Sequence, residues 1–201
     1  MPAREIKCAY DNISESWANF RKKPRQKAVE FLNELPESGI FIDIGCGSGR
    51  HTKIFSEKYI SVGVDISKKM LVLAKKSDKK SLYVQADFRN MPFKDSVFDK
   101  ALCYAVIHHL NKNEQLKSLE ELKRIMKQNS SALLTVWKRW QKRFFPKCIF
   151  YNELYVPWGA ESRYYYLFSR HDFINTLKKA GFKLKCLEQD RMNFFAILIF
   201  G

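Results

Sequence analysis

No stretch of the 201-residue chain approaches the roughly 20 consecutive apolar residues that cross a bilayer, which argues against a membrane-spanning helix. The N-terminus, MPAREIKCAYDNISESW, lacks the apolar segment of a secretory signal. The chain is therefore expected inside the cell, in the cytoplasm, with the nucleus also open. Cysteine is sparse and scattered. Cys8, Cys46, Cys103, Cys148 and Cys186 include no C-x-x-C pair, so free thiols are expected, with neither a disulfide framework nor a zinc site on this chain. There is no repeat, low-complexity tract or Gly/Ser linker. One domain is expected over residues 1–201, with an N-terminal helical cover over 1–36 and a substrate-side insertion over 138–168. Acid is also short: 21 Asp and Glu stand against 36 Lys and Arg, a net charge of +15. Such an excess attracts polyanions, although a lysine-rich surface also serves solubility. Residues 137–147, WKRWQKRFFPK, interleave cations with aromatics. That pattern suits a phosphate backbone with stacked bases, and a surface helix with an apolar face would look similar.

Hydrophobic residues make up 46% of the chain, with 16 Phe, so a full and bulky core is available. Residues 9–35 read as helical cover with a break near Pro24. A short buried strand over 40–44 precedes a helix over 49–58. Residues 59–66, YISVGVDI, are a second strand, and Ser67 is placed to cap the helix that follows. Residues 81–87, SLYVQAD, alternate as a third strand. Residues 98–110, FDKALCYAVIHHL, read as a fourth strand ending at two histidines. An amphipathic helix with Leu116, Leu119, Leu122, Ile125 and Met126 on its apolar face follows, then a fifth strand over 131–137. The insertion is expected to be loop-rich. A helix that carries a capping box, Ser169 with Asp172, and ends at Gly181 precedes two closing strands. Strands alternating with helices predict a doubly covered, mostly parallel sheet, here of seven strands, with an antiparallel hairpin at one end.

Residues 41–50, FIDIGCGSGR, put Gly45, Gly47 and Gly49 where the first strand should end and a helix begin. Parallel sheets bind ligands at that end of their strands, and residues without Cβ let a ligand approach the backbone. The spacing is G-x-G-x-G rather than the dinucleotide G-x-G-x-x-G, and Asp43 stands just ahead. An acid there suits an ammonium group better than a pyrophosphate. Asp65 ends the second strand, where a carboxylate can accept from two ribose hydroxyls. Asp87 follows the third, where it can meet an adenine amino group or merely cap a helix. Cys46, Ile66, Phe88 and Tyr104 flank these positions. The set describes a cationic adenosine cofactor, S-adenosylmethionine, on a class I, Rossmann-like α/β methyltransferase fold. Cys46 and Cys103 also read as core fillers, and Tyr104 as a pocket-lining ring.

The segment AVIHHL, with Tyr10, Ile13 and Arg21 near the N-terminus, Val156-Pro157-Trp158 and SRYYYLF in the insertion, and Arg191, Asn193, Phe194 and Phe195 near the end, resembles a known family. It is similar to the eukaryotic tRNA wobble-uridine carboxyl methyltransferases, including the methyltransferase domain fused to an AlkB-like oxygenase in animals. The resemblance covers nearly the whole chain. Tyr166 stands where the family usually has His, and Phe194 and Phe195 where it often has Trp. The resemblance implies methylation of 5-carboxymethyluridine in the tRNA anticodon loop to its methyl ester. It also implies a small zinc-binding activator, shared by several methyltransferases, docked on an exposed sheet edge as a heterodimer. The third strand fits: Leu82, Tyr83 and Val84 precede Asp87 with no proline or charge to protect an edge, although Lys79 and Lys80 flank it.

The chemistry is consistent with these residues. A carboxylate is ionised at neutral pH and is itself the nucleophile. It needs placement against the sulfonium methyl rather than a base. Arg21, His109, Arg163 and Arg191 are the candidate groups around it. Each has an ordinary alternative: strand-end cap for His108 or His109, surface cation for Arg21, ion-pair partner for Arg163 and Arg191. A metal site at the histidine pair is not expected, because neighbours on a strand point to opposite faces. The rival readings are a small-molecule methyltransferase acting on a quinone precursor or carboxylic acid, and a non-catalytic RNA-binding or scaffold subunit.

Overall fold

The structure, a computed structural model, describes residues 3–33, 38–56 and 59–201. Five parallel strands, β1 (Ile40–Ile44), β2 (Ile60–Asp65), β3 (Leu82–Gln85), β4 (Phe98–Tyr104) and β5 (Met126–Trp137), join two antiparallel ones, β8 (Lys183–Gln189) and β9 (Asn193–Ile199), in the order β3-β2-β1-β4-β5-β9-β8. Apolar residues alternate between the two faces as the strand period requires. Phe41 and Leu102 pack toward Phe31 and Leu32 of α3 (Gln26–Asn33). Ile42, Ile44, Ala101 and Cys103 face the other layer, with Leu119 and Leu122 of α6 (Lys112–Ile125) and Phe173 of α8 (Arg170–Lys179). The strand order reverses between β1 and β4. Loops leaving their carboxyl ends diverge there and open a crevice.

The cap at Ser67 forms as expected, and the capping box expected of Ser169 and Asp172 forms only in its first half, because the Asp172 carboxylate takes the Tyr166 hydroxyl instead of the Ser169 amide. Ser67 Oγ accepts from the Met70 amide at the start of α5 (Lys68–Ser77), and Ser169 Oγ accepts from the Asp172 amide. Asn111 and Glu114 add a reciprocal capping box at the start of α6.

Three expectations are corrected. The helix expected over 49–58 is reduced to α4 (Thr52–Phe55), because residues 45–51 are spent on the glycine loop; residues 57 and 58 lie outside the described residues. The fourth strand stops at Tyr104 rather than running to the histidines. Ala105 adopts φ 62°, its amide is taken by the Thr135 hydroxyl at 2.9 Å, and a 3-10 turn over Ile107–His109 follows. His108 and His109 are therefore not alternating strand residues; their ring centroids lie 4.7 Å apart. The insertion is not mainly loop. It contains a hairpin of β6 (Glu153–Trp158) and β7 (Glu161–Tyr166), closed by the two residues Gly159 and Ala160.

The N-terminal cover is helical with a break, as expected: α1 (Ala3–Asn12), α2 (Ser14–Phe20) and α3, interrupted over residues 21–25. It lies across the crevice because Asp11 of α1 grips the start of α5, accepting from the Ser67 hydroxyl at 2.6 Å and the Lys69 amide at 3.1 Å.

Candidate active site

A cavity of about 170 Å³ occupies the crevice, walled by the loops after β1 to β4, by the cover helices and by the insertion. Its two halves differ in charge.

In the first half the glycine loop turns against the β4 end. Gly45 has φ +68°, and a Cβ there would come within 2.3 Å of Val106. Gly47 has φ +55° with nothing within 4 Å of its missing Cβ, so its backbone is open to a ligand. Gly49 does not line the cavity; a Cβ on it would meet the Tyr83 hydroxyl at 2.6 Å, so its role is packing. Asp65 lines the cavity. Its carboxylate accepts from the Gly47 amide at 2.8 Å and the Ser67 amide at 2.9 Å, which fixes its orientation and leaves lone pairs for further donors. Cys46, Ile66, Phe88 and Tyr104 also line it. Asp87 lines it while accepting from the Arg89 side chain, which holds its carboxyl below the ordinary value despite partial burial. Asp43 does not line the cavity. It is buried beneath the loop, accepts from the Thr52 hydroxyl at 2.7 Å, and is pushed up to about 7 by burial. It supports the loop from below rather than facing an ammonium group.

A Cβ-free, backbone-exposed turn beside a carboxylate that can take two hydroxyls fits S-adenosylmethionine. Asp65 would hold the ribose, Asp87 and Phe88 the adenine side, and the Gly45 and Gly47 backbone the methionine portion. Burial pushes the Asp65 carboxyl up to about 6, and its two amide donors only partly offset that. Two ribose hydroxyls are best accepted by the ionised form. Cofactor affinity is therefore expected to be level above about pH 7 and to fall as the pH drops through about 6. Asp65→Asn should bind weakly with no such slope. Calorimetric titrations at several pH values check this, and a wild-type affinity indifferent to pH across that range would contradict it.

In the second half the arginines gather. Arg21, from the C-terminus of α2, Arg25, from the break after it, Arg50, from the glycine loop, and Arg143, from the insertion, all line the cavity. None meets a carboxylate at ion-pair distance among the described residues. Burial and then neighbouring arginines lower Arg50 to about 10, and burial followed by Arg25 lowers Arg21. Asp65 and Asp87, both at the cofactor end, are the carboxylates among the lining residues. One wall is a column of rings. The Arg143 guanidinium lies 4.0 Å from the Trp137 centroid, Trp137 stacks on Tyr165 at 4.2 Å, and Tyr165 stacks on His108 at 5.0 Å.

The histidines divide their roles differently from the sequence expectation. Both line the cavity. His109 is occupied on both ring nitrogens: Nδ1 donates to the Tyr164 carbonyl at 2.9 Å and Nε2 accepts from the Tyr10 hydroxyl at 2.8 Å. His108 Nδ1 accepts from the Trp137 amide at 3.2 Å, which places its proton on Nε2, a buried atom with no partner among the described residues. Burial keeps both neutral, pulling His109 down to about 4 and His108 well below the ordinary value. Arg163 and Arg191 do not line the cavity. Arg163 is buried behind the wall, over Trp17 at 4.6 Å and Trp158 at 5.4 Å, donating to the Tyr165 hydroxyl at 2.9 Å. Arg191 is exposed, beside Met192 and Asn193, which do line the cavity.

Arg25, Arg50, His51, Arg143, Trp137 and Tyr165 are lining residues that sequence reasoning did not select. Arg50 was the last residue of the glycine motif and Arg143 lay in the aromatic–basic run. Tyr165 lay in the SRYYYLF stretch, and Arg25 carried no local signal.

A family model described as a methyltransferase domain matches residues 42–134. A tRNA (carboxymethyluridine(34)-5-O)-methyltransferase from Schizosaccharomyces pombe is 33% identical over 161 residues, 78% of this chain and 68% of that protein. A protein of the same name from Arabidopsis thaliana is 33% identical over 129 residues, 64% of this chain, and the chain spans only 31% of its length. Among solved structures, 1,6-didemethyltoxoflavin-N1-methyltransferase of Burkholderia thailandensis, with S-adenosylhomocysteine bound, superposes with a TM-score of 0.76 over 98% of this chain and 87% of that one. At 16% identity that likeness speaks for the fold.

Proposed function

The chain belongs to the tRNA (carboxymethyluridine(34)-5-O)-methyltransferase family, and from that premise we propose that it transfers the methyl group of S-adenosylmethionine to the carboxylate of 5-carboxymethyluridine at the tRNA wobble position, giving the methyl ester. The observation that carries the acceptor is the group of arginines, Arg21, Arg25, Arg50 and Arg143, that line one cavity without a carboxylate partner among the described residues. Such a group calls for an anion. An ionised carboxylate meets that demand and is already a nucleophile. The histidines that line the cavity are poorly suited as bases for a neutral acceptor: His109 is pulled down to about 4 and His108 and His51 well below the ordinary value by burial, away from the near-neutral value that base catalysis favours. S-Adenosylmethionine supplies the electrophilic methyl. The arginines orient the acid by donating to its oxygens, and the aromatic column of Trp137, Tyr165 and His108 supports the base. Purified protein should put labelled methyl into tRNA carrying 5-carboxymethyluridine, in a linkage released by mild alkali. Alkali-stable label, or label entering only small carboxylic acids or quinone precursors, would contradict the proposal.

We further infer a small zinc-binding activator subunit on the β3 edge. Among the described residues β3 pairs only with β2 and its other edge is bare, and Leu82 is 58% exposed. Tyr83 is turned inward instead, over Gly63 and Gly49, with its hydroxyl toward Asp78, so Leu82 is the better probe. Co-expression with the activator is expected to raise solubility and activity, and Leu82→Asp to abolish complex formation. A monodisperse, fully active lone chain, or an intact complex in that variant, would count against it.

A further inference from the structure

Between Trp137 and β6 the chain makes an excursion, residues 138–152, that contains five cations, Lys138, Arg139, Lys142, Arg143 and Lys147, and no acid. It is built in an unusual way. Its inward residues, Phe144 and Cys148, pack with Trp137, Tyr165 and Leu167 as a small core of their own. Its outward residues are large and apolar: Trp140 is 60% exposed, Phe145 66%, Phe150 75% and Tyr151 62%. Soluble proteins seldom leave so many neighbouring rings in water without a use. The excursion is held in shape. Arg139 lies over the Trp140 ring at 5.2 Å while its Nε donates to the Cys148 carbonyl at 2.7 Å and its Nη2 to the Ile149 carbonyl at 3.0 Å. One side chain thus ties Trp140 to the segment that carries Ile149 and Phe150. The excursion also shares a wall with the reaction cavity, because Trp137 and Arg143 line both.

We propose that residues 139–151 are a docking platform for single-stranded RNA, receiving the nucleotides that flank the one held in the cavity. Exposed rings offer faces to unstacked bases, and cations spaced between them follow the phosphates. The continuity with Arg143 gives the strand a path from platform to cavity. This rests on the reading of the substrate as RNA. The deficit of acid favours a polyanion, and the pinned carbonyls of residues 148 and 149 favour a rigid platform over a membrane-inserting segment.

Three probes test it on the full chain: an anticodon stem–loop RNA, a single-stranded oligouridine, and phosphatidylserine vesicles. Both RNAs should quench the Trp140 fluorescence, taken as the difference between the wild type and Trp140→Phe. The double variant Trp140→Ala/Phe150→Ala should bind each RNA about tenfold or more weakly, since each base loses an aromatic partner. It should raise KM for tRNA while leaving kcat and cofactor affinity unchanged. Lys142→Ala/Lys147→Ala should flatten the slope of log affinity against log salt by about 1.4, at about 0.7 per phosphate contact on a single strand. Unchanged RNA affinity and salt slope in both double variants would overturn the platform. So would loss of vesicle binding with RNA binding intact, which would mark a membrane surface. RNA binding is read without methyl transfer, so the two proposals fail separately. RNA binding that depends on Trp140, in a protein that methylates no tRNA, keeps the platform and removes the substrate assignment.

Discussion

Asp65→Ala is expected to weaken S-adenosylmethionine binding by a hundredfold or more while the chain still folds. The carboxylate sits at the end of β2, oriented by the amides of Gly47 and Ser67. It has room to accept from two ribose hydroxyls. Each charge-assisted hydrogen bond is worth about 1.5–3 kcal/mol, and about 1.4 kcal/mol is a factor of ten, so losing both reaches that range. Folding should survive because burial makes the ionised carboxyl costly in the free protein, where it is pushed up to about 6. Calorimetry reads the affinity and thermal melting the fold. Wild-type affinity in the variant would remove Asp65 from the cofactor site.

Arg21→Ala should lower kcat/KM toward tRNA by about a hundredfold, the scale of two lost hydrogen bonds to a charged group, and change cofactor affinity far less. Arg21 lines the cavity, its guanidinium lies over Trp17 at 5.0 Å, and it meets no carboxylate at ion-pair distance among the described residues. A cation with no carboxylate partner in the free protein is one that an anionic substrate can pair with. Arg21→Lys should recover only part of the loss, because an ammonium lacks the planar fork that grips both oxygens of a carboxylate. Arg191→Ala is the contrast. Arg191 is exposed and outside the cavity lining, so its removal should leave kcat near the wild-type value. Equal losses at the two positions would show that the cavity geometry does not govern substrate placement.

Most of the cofactor half was legible because its determinants are local, the exceptions being Asp43, buried beneath the loop, and Gly49, which packs against Tyr83. Alternating or continuous apolar runs mark the strands. A glycine motif and an acid at each of two strand ends fall where a parallel sheet must bind a ligand, and Ser67 and Ser169 are capping residues in capping positions. The arginine half was not legible, because it is assembled from distant parts. Arg21 and Arg25 come from the cover, Arg50 from the glycine loop and Arg143 from the insertion. Only the fold over the crevice makes them neighbours. The histidine pair failed for a single backbone reason: Ala105 takes a left-handed conformation that alanine does not advertise, and this ends β4 before the pair. The hairpin of the insertion had a signal in Gly159, which supplies φ +59° at a two-residue turn. It was masked by the density of aromatics on both sides.

Mass spectrometry of wobble nucleosides in tRNA from cells lacking this protein reads methylation of the wobble-uridine acid without an intermediary. 5-Carboxymethyluridine should accumulate there as the free acid, its methyl ester should disappear, and the wild-type gene, but not one encoding Asp65→Ala, should restore the ester. Normal levels of the ester in those cells would contradict the proposed methyl transfer.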